Sequence, residues 1–289
     1  MSCELSAVWQ AECLLGEGPL WVVSEQALRF VDIKRGHLHR FVPKTGACET
    51  IDVGGKPSFI LSASDGSFLV ASEHRIWTLN NDRLDACVAV IDQPAHNRTN
   101  DGTVDTRGRL WFGTMDDDER QPSGAIYCLD SNRLHRVGGE AIVTNGPAVS
   151  ADAQTLYHVD SGNRTIWRSM IGDGPALSHS TILVQLGKSD GYPDGIILDS
   201  EGCLWVALWD GWGVRRYAPD GRLMAHLPLP CARATKVAFG GGDLRTLFVT
   251  TARIGLTADE LAAQPLAGSL FAINTDVAGL PMPAFHIVS

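Results

Sequence analysis

A repeat constrains this chain more than any other feature of its sequence. Six short segments rich in aromatic and β-branched residues recur at Leu28 to Asp32, Phe68 to Ser72, Leu110 to Thr114, Leu156 to Asp160, Leu204 to Leu208 and Leu247 to Thr251, with starts 40 to 48 residues apart. Turn-forming residues such as Ser64-Asp65-Gly66 and Thr106-Arg107-Gly108 lead into them. A second apolar segment follows each, as Ile126 to Leu129 follows Leu110 to Thr114, so each pair reads as a hairpin. Units of this length hold about four strands and show no sustained 3.6-residue periodicity, which is the spacing of propeller blades. Six units nearly exhaust the 289 residues. The predicted fold is therefore all-β: one domain over residues 1–289, a six-bladed β-propeller with four-stranded blades around a central channel. The last unit starts its two segments 23 residues apart. Its insert, from Thr257 to Ala263, offers an N-cap, early acidic residues and good helix formers, and predicts one short helix. Closing the ring calls for the ends to meet, so a strand-like start, Cys3 to Trp9, and a strand-like tail, Phe285 to Val288, are expected to complete one blade between them.

Composition bears on partners. With 24 Lys and Arg against 33 Asp and Glu, a net charge of −9 and no basic cluster, the chain is not expected to bind nucleic acid. No apolar run approaches the roughly 20 residues of a membrane helix, and Met1 to Gln10 carries Glu4 where a signal peptide needs lysine, so no membrane association and a cytoplasmic location are expected. Seven scattered cysteines without a C-x-x-C pair read as reduced structural thiols. His37 and His39 alternate along a strand and are expected at the surface. There is no G-x-S-x-G elbow, and Gly240-Gly241-Gly242 lacks the lysine of a phosphate loop. Trp209 and Trp212 are candidate sugar-stacking rings.

About nine to eleven residues ahead of each first strand stands a polar turn-like motif: Gly16-Glu17-Gly18-Pro19, Pro57-Ser58-Phe59, Asn100-Asp101-Gly102, Asn145-Gly146-Pro147, Pro193-Asp194-Gly195 and Thr235-Lys236-Val237. Equivalent positions of a radial repeat converge on its axis. Glu17, Asn100 or Asp101, Asn145, Asp194 and Lys236 are thus expected at one mouth of the channel, on tight turns. Carboxylates and carboxamides meeting there form a hard-oxygen set for one divalent cation, Ca, Mg or Mn, with Zn or Fe(II) also accommodated. Without it, Glu17 and Asp194 would repel one another.

The stretches LGEGPLW (15 to 21), NRTNDGTVDTRGRLWFGTM (97 to 115), TNGPAVSAD (144 to 152) and YPDGIILDSEGCLWVALWDG (192 to 211) resemble the gluconolactonase and regucalcin (senescence marker protein) family, most closely bacterial sugar-acid lactonases such as xylonolactonase. The resemblance implies a metal held by Glu17, Asn145 and Asp194, with Arg98 and Asn100 on the substrate, a sugar lactone. Relatives place a substrate-contacting Glu where this chain has Arg120, with Glu119 one residue earlier, and Glu119 is taken as the substrate residue. The expected chemistry is hydrolysis of an aldonolactone by a metal-polarised carbonyl and an activated water, with Asp194 as general base. Three other readings remain: a non-catalytic calcium-binding or interaction propeller, an aryl-ester or organophosphate hydrolase on the same scaffold, and a two-carboxylate glycosidase.

Overall fold

Six four-stranded antiparallel sheets stand in a ring in the computed structural model, which describes residues 5–287. Five blades are continuous in the chain, over residues 16–52, 57–90, 97–141, 144–185 and 192–228, each running from the axis outward. The sixth spans residues 234–274 and takes the N-terminal strand Leu5–Trp9 as its outermost member, paired antiparallel with Leu270–Asn274. First and last strands thus share one sheet, and the ring is closed by hydrogen bonds.

The segments predicted from the repeat are the second and third strands of each blade, as Leu110–Asp116 and Gly124–Asp130 in the third. Their apolar side chains fill the spaces between blades. Leu69, Leu110 and Phe112, joined by Phe59 from an innermost strand and all at most 1 % exposed, knit the second and third blades together. Each such side chain contributes about 1.5–3 kcal/mol by leaving water.

The polar motifs expected to be turns lie instead in the innermost strands: Gly16–Val22, Pro57–Ser62, Asn97–Val104, Thr144–Val149, Tyr192–Leu198 and Ala234–Gly240. Neighbouring blades cover both faces of these strands, so polar and apolar residues need not alternate along them. Every one of the six carries a one-residue register shift against its partner at the same depth.

Two further expectations about the ends divide. The short helix forms at Ala258–Ala263, capped by Thr257, whose hydroxyl accepts the Glu260 N–H. The tail does not join the closing blade. Phe285 bridges Ala63 of the second blade, and residues 280–283 lie across the rear of the channel over a largely apolar cavity of about 250 Å³ lined by Phe59, Ile60, Val104, Ile196 and Leu198. Cys3 and Val288 fall outside the described residues. Cys13, Cys128, Cys203 and Cys231 are buried free thiols, and Cys48 and Cys87 are exposed ones. Among the described residues, no helix is long and apolar enough to cross a membrane.

Candidate active site

The register shifts build the site. A β-bulge kinks its strand and re-aims the side chains beside it. Here six bulges at one depth turn the polar residues of the innermost strands toward the axis. Glu17 and Asn145 are the last paired residues before the bulge in their strands, whereas Asn100 and Asp194 are the first unpaired residues within it. The candidate residues therefore occupy two adjacent positions, not one. Gly18 permits the close approach: its φ is +53°, and a Cβ there would lie 2.7 Å from the Phe59 Cα of the next blade. Blade two offers only Ser58, bonded to Thr99 at 2.8 Å.

A chain of hydrogen bonds crosses three blades and fixes the amides. Arg98 donates from Nη1 to Asn100 Oδ1 (2.6 Å), and Asn100 Nδ2 donates to Asn145 Oδ1 (2.7 Å) and to the Thr144 carbonyl (2.7 Å). Asn145 Nδ2 donates to Ser161 Oγ (3.0 Å), which donates to the Pro193 carbonyl (2.7 Å), one residue before Asp194. The amide orientation is thereby settled, with Asn145 Oδ1 keeping one lone pair after accepting from Asn100.

Three carboxylates, Glu17, Asp101 and Asp194, are buried here at 5 %, 1 % and 6 % exposure, with Lys236 as the ammonium beside them. Lys236 pairs with Asp101. Desolvation drives the Glu17 carboxyl up to about 8, with the Asp101 charge adding to it. Asp194 is pushed well above the usual carboxylate range, first by burial and then by the charges of Glu17, Asp101 and Glu119. Asp101 Oδ2 is buried without a hydrogen-bond partner, and among the described residues Asp194 accepts no hydrogen bond at all. With all three ionised, the carboxylates would outnumber the Lys236 ammonium by two, and burial together with their mutual repulsion instead favours holding protons on Glu17 and Asp194. Hard-oxygen donors with unspent lone pairs in such a cluster fit a divalent cation.

Around this core, Glu119 and Arg120 both lie on the exposed loop after Leu110–Asp116, shaped by Asp116, which accepts the N–H groups of Asp118, Arg120 and Gln121. Glu119 takes φ +57° and its charge reaches Asp194, while the Arg120 side chain is 78 % exposed and leans on Asp118. Of the tryptophans, Trp212 is 48 % exposed and Trp209 lies under the Arg233 guanidinium, 4.7 Å away.

Two groups escaped the sequence. At the same mouth Asp117 accepts from Lys34, Lys56 and Arg98, residues of three different blades or their connections. No local pattern marks such isolated charges. Below the loop that leads to Glu17, atoms of Cys13, Asp32 and His39 lie within 4.8 Å of one another. Asp32 accepts the N–H groups of Leu14 and Leu15 at 2.9 and 3.1 Å, so it anchors that loop, and burial pushes the Cys13 thiol up, keeping it protonated. His39, expected at the surface, is 3 % exposed. The alternation rule failed because neighbouring packing covers both sides of its strand.

Comparison with known proteins agrees with this architecture. Residues 15–253 match the family model described as the SMP-30/gluconolactonase/LRE-like region. The chain is 36 % identical over 289 residues to a 6-deoxy-6-sulfogluconolactonase of Pseudomonas putida, covering 99 % of both proteins. It is 33 % identical to a pentonolactonase of Haloferax volcanii, covering 96 % of both. The crystal structure of a calcium-binding protein, regucalcin, from Agrobacterium tumefaciens superposes with a TM-score of 0.92 at 27 % identity, over 96 % of each chain. The chain belongs to the SMP-30/gluconolactonase/LRE-like family.

Proposed function

We propose that this chain hydrolyses a sugar lactone to the aldonic acid with the help of one divalent cation. The observation that carries the reading is the excess of acidic over basic groups in the channel: three buried carboxyl groups, one of them with an orphaned oxygen, beside one lysine. Glu17, Asn145 and Asp194 would hold the ion. When bound, it supplies Lewis-acid polarisation of the lactone carbonyl and acidifies a water. Glu17 and Asp194 would be ionised as ligands of such an ion.

The remaining work falls to the chain. Asp194, with no competing hydrogen bond, takes the proton from the attacking water at its carboxylate. Arg98 would present its remaining guanidinium donor to a substrate oxygen, and Asn100, whose Nδ2 hydrogens are both engaged, would accept from a sugar hydroxyl at Oδ1, both from a fixed network, so little ordering is left to do when the sugar arrives. Burial pushes the Asp101 carboxyl up, and Lys236, paired with it, opposes that shift. Glu119, whose charge acts on Asp194, would accept from a sugar hydroxyl. Support for the substrate class comes from the names of the two relatives, which share a lactone and differ at the other end of the sugar.

The test is chelation followed by reconstitution. Protein stripped of metal should lose acid release from aldonolactones and regain it with at least one of Ca, Mg, Mn, Zn or Fe(II). Full activity after exhaustive removal would overturn the mechanism. Metal binding without turnover of any lactone would leave a calcium-binding propeller instead.

A further inference from the structure

We infer that the lactone this site prefers carries an anionic group, a sulfonate, phosphate or carboxylate, at the end of the sugar away from the ring carbonyl, and that Lys34, Lys56 and Arg98 bind it. The inference rests on the lactonase reading of the channel and adds the substrate's charge to it.

Three cations converge on one carboxylate at the channel mouth. Asp117 Oδ1 accepts from Lys34 Nζ at 2.8 Å and from Arg98 Nε at 2.6 Å, and its Oδ2 accepts from Lys56 Nζ at 2.6 Å. Three positive charges against one negative leave an excess of two. Burial opposes the charge on Asp117, but the hydrogen bonds of Lys34 and Lys56, with Arg98, outweigh it and hold its carboxyl far below the usual range.

The cluster's donors are mostly unspent. An ammonium has three protons, and among the described residues Lys34 and Lys56 each give one, to Asp117. Arg98 uses Nε and Nη1, and among the described residues its Nη2 has no partner. Gathering like charges is unfavourable unless a second anion shares them, and a terminal oxyanion offers acceptors of the right geometry for ammonium and guanidinium together.

Position argues that this anion belongs to the substrate. Arg98 is 4 % exposed, against 23 % and 41 % for the Lys34 and Lys56 side chains. The same guanidinium reaches Asn100, which in turn holds Asn145. One continuous network therefore joins the cation cluster to the proposed metal ligands. Between the first and third blades, the innermost strand of blade two contributes only Ser58 at the bulge, bonded to Thr99. Of the acidic groups on the Asp117 loop, Asp118 is paired with Arg120 and Glu119 acts on Asp194, over the lactone end.

The experiment compares glucono-lactone with its 6-phospho, 6-deoxy-6-sulfo and 6-carboxylate (glucaro) counterparts, for the wild type, Lys34→Ala, Lys56→Ala and the double variant, at low and high salt. The wild type should favour at least one anionic lactone about tenfold or more in kcat/KM, mostly through KM. That ratio should shrink with salt and fall about tenfold in the double variant. The preferred counterpart tells sulfonate, phosphate and carboxylate apart. A neutral lactone turned over as well as all three, or a ratio untouched by the double variant, would overturn the inference. Calorimetric titration with the product acids tests it without turnover: 6-phosphogluconate or 6-deoxy-6-sulfogluconate must bind the wild type more tightly than gluconate and lose that advantage in the double variant. Absence of turnover on every lactone would sink the lactonase reading alone, while equal affinity for charged and neutral acids would sink this one.

Discussion

Asp194 lies buried beside two other carboxylates and takes no hydrogen bond from the described protein, so its charge is opposed by burial and by its neighbours. Removing that charge should therefore separate function from stability. Asp194→Asn should lower kcat/KM by about a thousandfold, the middle of the range for a lost general base, and abolish calorimetric metal binding, while the melting temperature of metal-free protein stays level or rises. A melting temperature several degrees lower with activity intact would make Asp194 structural. His39 gives the opposite case, a buried group whose neutral form the fold requires. Desolvation brings its ring down to about 4 from an ordinary 6.5. Between those values the unfolded chain holds the extra proton and the folded chain does not, so stability falls as pH drops through that window, by up to about 3 kcal/mol for this group. Urea midpoints from pH 7 to 4 should decline less steeply for His39→Gln than for the wild type, and parallel curves would refute the assignment. Glu17, Asn100, Asp101, Asn145, Asp194 and Lys236 stood out in the sequence because they recur in phase with the strands, whereas the narrower set Glu17, Asn145 and Asp194 came only from the family resemblance. Lys34, Lys56 and Asp117 did not stand out, since each is a lone charge until three blades bring them together.

Turns at the rear of the blades are organised by a motif whose signal was present in the sequence and went unread. In Asp105-x-x-Gly108-x-x-Trp111 and Asp199-x-x-Gly202-x-x-Trp205, the aspartate ties the turn to the strand that follows. Asp199 Oδ1 accepts the N–H groups of Glu201 and Cys203, and Oδ2 accepts Trp205 Nε1 and Arg216 Nε, all at 2.8 to 2.9 Å. Asp105 does the same for Arg107, Arg109 and Trp111. A fully buried carboxylate with four donors cannot be removed cheaply, because the donors stay behind. Asp199→Ala should cost about 3–5 kcal/mol, against less than about 1 kcal/mol for Glu201→Ala, which removes the exposed partner of the same Arg216. Chemical denaturation gives both values, and equal costs would refute the network argument. The second and third strands were legible because half their residues are large and apolar and turn signals bound them. The innermost strands were not: glycine, proline and paired polar residues imitate turns, and the bulges that let a strand carry them have no sequence mark of their own.

The closed ring has one seam, and the N-terminal strand holds it. Leu5–Trp9 covers the edge of Leu270–Asn274 and sets Trp9 edge-on against Phe30 and His39 of the first blade, 5.4 and 5.0 Å between ring centroids. Strand and side chain thus join the last blade to the first. The loop running from this strand to Glu17 is the one Asp32 anchors, so the seam also bears on the site. Removing residues 1–9 leaves an unpaired strand edge and uncovers Phe30. At about 2–4 °C per kcal/mol for a chain of this size, the loss of a strand's pairing and packing should lower the melting temperature by about 10 °C or more and bring concentration-dependent association through the bare edge. Trp9→Ala, which keeps the backbone pairing, should lose only a part of that and stay monodisperse relative to the wild type in light scattering. A truncated protein that melts like the wild type, with no added association, would show that the ring is held by the contacts between blades and that the seam is dispensable.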